Sequence, residues 1–303
     1  MTGEILKEKI RYLAREKNAL ILAHNYQNPE IQDIADYVGD SLELSRIAAD
    51  NSAGIIVFCG VHFMAESASL LSPDKKVLLP EPSAGCPMAD MAEPDSIRAE
   101  KAKYPGAKVV TYINSSAAVK AESDVICTSS NAIDIVNRVD GDEILFVPDR
   151  NLGSWVEKHT KKNVHLWKGF CPVHADITVE EVENVRKSHP DSILMVHPEC
   201  DPSVVAIADE VLSTGGMVRF VEKTDAKSII VGTEIGMLHK LKKTAPSIEF
   251  ISASSNFICP NMKKTTLEKV YAALDEEKPI IKVDTDIADR ARCALRRMLD
   301  LSK

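Results

Sequence analysis

The sequence has no long run of apolar residues. Its hydrophobic stretches stop well short of the roughly 18 consecutive residues that identify a membrane-spanning helix. The first 20 residues are charged and amphipathic, with neither an apolar segment nor a small-residue cleavage site, so they lack the features of a secretory signal peptide. These absences argue against a membrane partner and against export, and we expect a cytoplasmic protein.

An excess of basic residues is also missing. The 303-residue chain has 37 lysines and arginines against 45 aspartates and glutamates, which gives a net charge of −8. The basic residues are scattered, whereas a nucleic-acid-binding domain concentrates them in a patch or stripe. We therefore expect no nucleic-acid partner. The acidic total does not exclude a small anionic substrate, because local groups decide what a site binds.

Closely spaced cysteines are missing as well. The chain has seven cysteines, but no two of them are near each other in sequence. The short spacings of ferredoxin-type clusters and zinc ribbons are therefore absent. An odd number of cysteines without an export signal favours metal-binding or catalytic thiols over disulfides.

The sequence does contain a regular alternation of short apolar runs and helical patterns. The apolar runs are continuous, which is typical of parallel strands buried on both faces, and their alternation with helices predicts an α/β fold. The length allows two or three domains. The predicted strands are 19–24, 54–59, 76–80, 108–113, 124–128, 143–147, 163–167, 192–197, 210–213, 228–232 and 248–252, and the predicted helices include 29–37, 41–51, 62–72, 130–138, 149–160, 235–245 and 264–275.

A threefold internal repeat underlies this alternation. The dipeptide Cys-Pro occurs at Cys86, Cys171 and Cys259, which lie 85 and 88 residues apart. Three polar clusters at strand ends keep nearly the same step, and a hydroxyl residue follows the first member of each cluster by 17 residues. The clusters are HNY (24–26), YIN (112–114) and HPE (197–199), and the hydroxyls are Ser41, Ser129 and Thr214. Gene duplication explains the repeated strands, but it does not require polar residues at their ends.

The repeat predicts three α/β domains related by a pseudo-threefold axis, each a short parallel sheet flanked by helices. Their predicted limits are 1–85 together with 264–303, then 86–170, then 171–263. Ligands of open parallel sheets bind beyond the carboxyl ends of the strands. If these ends face inward, the polar clusters, the hydroxyls and the Cys-Pro loops meet at one central active site.

Three converging cysteines can be interpreted in three ways. With His174 as fourth ligand, Cys86, Cys171 and Cys259 would form a Cys₃His zinc site. Alternatively they would hold a [4Fe–4S] cluster with one iron left open. They could also be buried thiols that pack as small hydrophobes, although the proline after each favours a loop. The spacing alone does not choose the metal.

The other four cysteines fall outside the repeat. Cys59 and Cys127 lie in apolar strands and are predicted to be core residues. Cys200 lies beside the HPE cluster and is interpreted as a spare thiol. Cys293 lies in the last helical pattern and is predicted to pack against the core.

A set of motifs spread over residues 5–300 resembles the quinolinate synthase family (quinolinate synthetase A). The motifs occur in order and without a large insertion, and together they are highly specific. They are AHNYQ (23–27), VGDS (38–41), TYINSSA (111–117), CTSSNA (127–132), FVPDRNLG (146–153), KGFCPVH (168–174), VHPEC (196–200), LSTGGM (212–217), GTEIGM (232–237) and CPNM (259–262).

The resemblance implies three α/β domains in a triangle around an oxygen-sensitive [4Fe–4S] cluster, held by Cys86, Cys171 and Cys259. It implies the condensation of iminoaspartate with dihydroxyacetone phosphate to quinolinate, with release of phosphate and two waters, in de novo NAD synthesis. A functional link to L-aspartate oxidase or aspartate dehydrogenase follows. Some relatives carry a C-terminal C-x-x-C-x-x-C element, and this chain has only Cys293 there.

Four residues at strand ends are the candidates for catalysis. Glu199 and His197 lie two residues apart and are the best acid–base pair, which the resemblance supports. His24 occupies the matching place in the first unit and could hold phosphate or a proton, and Tyr26 could donate its hydroxyl to a developing oxyanion. Taken singly, a surface glutamate or a hydrogen-bonded histidine is commoner, but the position on the repeat favours function.

Substrate binding is assigned to a second group of residues. Tyr112 and Asn114 suit the orientation of a carboxylate or enol, and His174 would contact the substrate if it does not bind metal. Hydroxyl residues before helices can bind anions at the free backbone N–H groups, a role compatible with ordinary N-capping. These hydroxyl residues are Ser41, Ser129, Ser213 and Thr214. Glu234, after another strand end, is a weaker candidate.

Two other functions remain open on the residues alone. One is a zinc-dependent hydrolase with the Cys₃His site. The other is a non-catalytic anion-binding protein made of three packed units. The metal present after anaerobic purification distinguishes the first from an iron–sulfur enzyme, and dependence of the activity on the cysteines tests the second.

Overall fold

The chain folds into three similar α/β units. The structure, a computed structural model, describes residues 3–303, so the first two residues of the predicted first domain lie outside the described residues. Its strands form three four-stranded sheets in which every pairing is parallel. The predicted α/β fold class, with three units built on short parallel sheets, is confirmed.

All three sheets have the same strand order. The order is β2-β1-β3-β4 in the first, β6-β5-β7-β8 in the second and β10-β9-β11-β12 in the third. The strands are β1 (Ala19–His24), β2 (Tyr37–Gly39), β3 (Ile55–Cys59), β4 (Lys76–Leu78), β5 (Lys108–Tyr112), β6 (Val125–Cys127), β7 (Glu143–Val147), β8 (Asn163–Leu166), β9 (Ile193–Val196), β10 (Glu210–Val211), β11 (Ser228–Gly232) and β12 (Glu249–Ser252).

Helices connect and flank these strands. They are α1 (Gly3–Glu16), α2 (Pro29–Ile34), α3 (Ser41–Asp50), α4 (His62–Leu71), α5 (Pro94–Lys101), α6 (Ala117–Lys120), α7 (Ala132–Arg138), α8 (Arg150–Glu157), α9 (Pro172–Ala175), α10 (Val179–Ser188), α11 (Pro202–Ala206), α12 (Thr214–Val221), α13 (Met237–Thr244), α14 (Leu267–Glu276) and α15 (Thr285–Leu301). None of the helices within residues 3–303 is both long and apolar enough to cross a membrane.

The eleven predicted strands all occur, and one strand was missed. The missed strand, β2, has three residues and begins with Tyr37, which is 50% exposed. It has little apolar pattern to mark it. By contrast, Cys59 lies in the central strand β3 and Cys127 in the edge strand β6, and both are fully buried, as predicted.

The C-terminal helix α15 joins two units. It packs against α4 of the first unit and against α6 and β6 of the second, whereas α14 packs against α1. Its buried residues Ala291, Ala294, Leu295 and Met298 repeat with the period of one helical face. Cys293 lies off that face and is exposed, so the prediction that it packs against the core was wrong. The limits of the three domains stay a prediction.

The strand order positions the site. In an order 2-1-3-4 the chain turns in opposite directions after the first and third strands, which opens a crevice beyond their carboxyl ends. The clusters 24–26, 112–114 and 197–199 follow the first strands of the three sheets. One large apolar core with residues from all three sheets holds the units together, and it keeps these crevices facing one another.

Candidate active site

A cavity of about 170 Å³ lies where the three units meet. It is lined by residues that follow the first strands of all three sheets and by the Cys-Pro loops. Thirteen of the fourteen residues assigned to the site from the sequence line it. They are His24, Tyr26, Ser41, Cys86, Tyr112, Asn114, Ser129, Cys171, His174, His197, Glu199, Thr214 and Cys259. Ser213 is the residue of this set that does not line the cavity.

The three cysteines of the repeat are half-buried, free and set in matched turns. Each precedes a proline and then a short helical turn, because proline favours the first turn of a helix. Backbone amides of these turns donate hydrogen bonds to the sulfurs of Cys86, Cys171 and Cys259. Burial nevertheless raises the pKa of all three, that of Cys86 to about 12. A bound metal would have to displace these protons.

One compact group of possible metal ligands is present among the described residues. The ligand atoms of Cys171, His174 and Glu199 lie within 4.8 Å of one another. The sulfurs of the three repeat cysteines do not form such a group within residues 3–303. Sulfurs bound to one zinc at about 2.3 Å lie within about 4.6 Å of each other, so a Cys₃ zinc site is not preformed.

Glu199 is the centre of a buried hydrogen-bond network. Its Oε1 accepts from the Tyr112 hydroxyl at 2.6 Å and from Asn114 Nδ2 at 3.4 Å. Its Oε2 lies 2.9 Å from His174 Nδ1 and 3.8 Å from His197 Nδ1. Burial opposes ionisation, but the hydrogen bonds from His174 and Tyr112 outweigh it and hold the pKa of Glu199 below its usual value. The group is therefore a carboxylate at neutral pH.

The network continues into the first unit through Thr233. His174 Nε2 lies 2.9 Å from Thr233 Oγ1, which in turn lies 2.6 Å from the Tyr26 hydroxyl. The chain of contacts Tyr26–Thr233–His174–Glu199–Tyr112 thus connects all three units. Burial, together with the Glu199 charge, raises the pKa of both tyrosines well above the usual value. Both remain neutral hydroxyls.

His24 and His197 have the same local geometry in the first and third units. The backbone N–H two residues later donates to ring Nδ1 at 3.2 Å in both, from Tyr26 and from Glu199. This arrangement selects the tautomer that carries its proton on Nε2, and in His197 that atom lies 3.2 Å from Ser129 Oγ. Burial lowers the pKa of His24 to about 4 and that of His197 to about 3. Both are neutral hydrogen-bond donors at neutral pH.

Acid is therefore expected to destabilise the metal-free protein. Unfolded histidines bind protons below about pH 6.5, whereas folded His24 and His197 do not until about pH 4 and 3, so stability is lost as the pH falls through this window. Each contributes about 1.4 kcal/mol per pH unit there. Urea unfolding at pH 7 and 5.5 measures the loss, which His197→Gln should reduce by about 1 kcal/mol. Equal losses of unfolding free energy in wild type and His197→Gln would contradict a lowered pKa of His197.

The junction hydroxyls lie at or near helix starts. Ser41 and Thr214 are the first residues of α3 and α12, and Asn25 Nδ2 donates to Thr214 Oγ1 at 3.0 Å. Their side chains are not the caps, because Asp40 and Ser213 hold those positions. The Thr214 and Ser41 side chains can therefore face the cavity.

Ser213, in contrast, faces a junction between the units. Its Oγ accepts from Gly216 N at 3.1 Å and lies 2.7 Å from Ser130 Oγ, and Ser130 donates to Asp40 Oδ2 at 2.5 Å. Asp40, Ser130 and Ser213 come from the three different units. The Ser213 side chain is thus hydrogen-bonded to Ser130 and Gly216, and its predicted substrate-binding role stays a prediction.

Two buried residues near Glu199 were missed by sequence reasoning. Asp149 caps α8 through the amides of Asn151 and Leu152, and Asn151 Nδ2 donates to the Glu199 carbonyl at 3.0 Å. Burial and the Glu199 charge raise the pKa of Asp149 well above its usual value. The other is Thr233. Thr233 directly follows β11, and Asp149 follows β7 after Pro148, so each lies at the end of the third strand of a sheet. This position could have identified them from the sequence.

Comparison with known proteins agrees with this geometry. The family described as quinolinate synthetase A protein matches residues 8–300. Curated proteins named quinolinate synthase are similar over the whole length of both chains. The one from Geobacter sp. (strain M21) is 53% identical over 303 residues, that from Dehalococcoides mccartyi 52% over 302, and that from Caldicellulosiruptor saccharolyticus 52% over 303. The chain therefore belongs to the quinolinate synthetase A family.

Proposed function

We propose that the chain is a quinolinate synthase that acts in the cytoplasm in de novo NAD synthesis. It would condense iminoaspartate with dihydroxyacetone phosphate to quinolinate and release phosphate and two waters. The observation that carries the proposal is one cavity that unites the three repeat cysteines with the buried network centred on Glu199. Full-length relatives named quinolinate synthase support it.

The proposed cofactor is a [4Fe–4S] cluster held by Cys86, Cys171 and Cys259. The donor set fits it, because three free cysteines, each after the fourth strand of a different sheet, line one cavity and receive backbone N–H groups at their sulfurs. Hydrogen bonds to the sulfurs are among the features that tune such clusters. When bound, the cluster would supply a Lewis acid at an iron without a cysteine ligand.

The anionic groups of the substrates would bind without a basic side chain. The residues that line the cavity in the described part of the chain include no lysine or arginine. Ser41 instead offers its hydroxyl, and Thr214 lies in the first turn of α12, where backbone N–H groups and the helix dipole favour anions. Ser129 and Asn114 add a hydroxyl and an amide from the second unit.

Proton transfer would centre on Glu199. As the carboxylate of the network it can accept a proton from the condensing substrates and return it in a dehydration. The neutral Tyr26 and Tyr112 hydroxyls would stabilise oxygen atoms that develop negative charge. The neutral His24 and His197 would donate hydrogen bonds through Nε2 and orient the substrates. Burial of the substrates among these residues would limit their contact with water, which would hydrolyse an imine.

Iminoaspartate is an imine of this kind, so its supplier should work close by. An enzyme that oxidises aspartate at its α-amino carbon, such as L-aspartate oxidase or aspartate dehydrogenase, is the proposed functional partner.

The direct test is an assay of quinolinate formation under strictly anaerobic conditions. Purified protein is mixed with dihydroxyacetone phosphate and with iminoaspartate generated in place, and quinolinate and phosphate are quantified. The proposal expects both products in equal amounts and only when both substrates are present. Release of phosphate without quinolinate would indicate a hydrolase instead, and binding without either product would indicate an anion-binding protein.

A further inference from the structure

A buried carboxylate that lines the cavity, that of Glu234, accepts hydrogen bonds at both of its oxygens. Glu234 follows β11 and is 0% exposed. Its Oε1 accepts from the backbone N–H of Cys259 at 3.1 Å, and its Oε2 accepts from the backbone N–H of Gly236 at 2.7 Å. Lys263 Nζ lies 2.9 Å from Oε1 and 3.0 Å from Oε2. Glu234 thus fixes the loop that carries Cys259 to the end of the strand.

The lysine of this pair reaches into another unit. Lys263 Nζ donates to the carbonyl oxygen of Tyr26 at 2.7 Å, and its side chain is only 22% exposed. A single ammonium group therefore connects the turn after Cys259, the carboxylate of Glu234 and the loop that carries Tyr26. The ammonium is also close enough to His24 to lower its pKa further, after the larger effect of burial.

The Tyr26 loop also contacts the segment 233–236, which carries Glu234, directly. A Cβ at Gly236 would lie 2.6 Å from the Tyr26 carbonyl oxygen, so the backbones approach too closely for a side chain. Gln32 Nε2 donates to the carbonyls of Gln27 and Gly236, both at 2.9 Å. The side chain of Tyr26 ends on Thr233, the residue before Glu234. The side chain and the main chain of Tyr26 thus both contact the short segment 233–236 of the third unit.

We propose that Glu234 and Lys263 are positioning residues that hold the Tyr26 loop in register with the Cys259 loop. The proposal rests on the proposed function, in which Tyr26 serves the reaction and Cys259 binds the cluster. The pair touches neither Ser41 nor Thr214, so it bears on where the Tyr26 hydroxyl lies rather than on anion binding. Loss of the pair misplaces that hydroxyl, and misplacement by about 1 Å can cost roughly 100-fold in rate.

The test compares Lys263→Met with a matched control, Lys243→Met. Lys243 makes an exposed ion pair with Asp33 between the same two units, away from the cavity. We expect Lys263→Met to lower kcat by about tenfold or more, to change KM by less than about twofold and to retain its iron. Hydrogen exchange over residues 25–28 should become about tenfold faster. Lys263→Arg should recover part of the kcat and part of the slow hydrogen exchange. The control Lys243→Met should match wild type in both.

Hydrogen exchange also separates this inference from the proposed function, because it needs no turnover. A wild-type protein without quinolinate formation defeats the proposed function, while the exchange rates still report on the pair. Wild-type exchange over 25–28 in Lys263→Met overturns the inference, and so does acceleration spread evenly over all three sheets. Should Lys263→Met fail to fold, Glu234→Gln provides the comparison, and wild-type exchange over 25–28 in that variant overturns the inference equally.

Discussion

Replacement of Cys86 by alanine is expected to abolish quinolinate formation and leave the chain folded. Two cysteines cannot hold the cluster that three would hold, so bound iron should fall from about four atoms per chain to less than about one. Cys86 is half-buried and lines the cavity, so its removal should leave most of the apolar core intact. Iron analysis, absorbance near ~400 nm and circular dichroism measure cluster and fold separately.

Cys200→Ala is the matched control for this experiment. Cys200 is a fully buried free thiol next to Glu199, and it does not line the cavity. Its variant should keep both iron and activity, because the Cys200 side chain packs in the apolar core of the third unit and its sulfur donates a hydrogen bond to the carbonyl of Gly232. A Cys86→Ala protein that still forms quinolinate would contradict the cluster assignment.

Replacement of Glu199 by glutamine is expected to lower kcat by about 10³-fold while the iron content stays at the wild-type value. Glutamine keeps the shape of the side chain but cannot accept a proton at neutral pH. It also cannot accept hydrogen bonds at both positions, so either Tyr112 or His174 loses its partner. Single-turnover kinetics and iron analysis of the anaerobic protein measure the two quantities.

A graded series strengthens this test. Tyr112→Phe removes one hydrogen bond to the carboxylate and no charge, so its loss of kcat should be smaller, about 10–100-fold. Glu249→Gln changes an exposed glutamate of β12 and should have no effect. A Glu199→Gln variant as active as Glu249→Gln would show that the carboxylate does not transfer the proton.

The repeat is what made the fold and much of the cavity predictable. Buried parallel strands are continuous apolar runs, so eleven of them could be read directly from the sequence. The constant 17-residue step from strand end to hydroxyl, and the nearly constant step from there to Cys-Pro, then indicated which loops meet. The strand β2 escaped because Tyr37 and Val38 are too few and too exposed to form a pattern.

Contacts between units were beyond the reach of sequence reasoning. Nothing in the local sequence shows that Lys263 reaches the Tyr26 carbonyl or that Thr233 connects Tyr26 to His174. Adjacent residues that share the same chemistry were also not separable. Ser213 and Thr214 both suit a helix start, and only the three-dimensional structure shows that the first is the cap. In such pairs the side-chain direction decides the role.

The most direct test of the account is the Mössbauer spectrum of ⁵⁷Fe-loaded, anaerobic protein with and without quinolinate. A cluster held by three cysteines leaves one of about four irons open, so the account predicts that quinolinate shifts the signal of one iron site only. An equally prepared sample of Glu199→Gln should give the spectrum of the same cluster, although this variant forms little quinolinate. A protein that contains zinc and no iron, or four equivalent irons that quinolinate does not change, would contradict it.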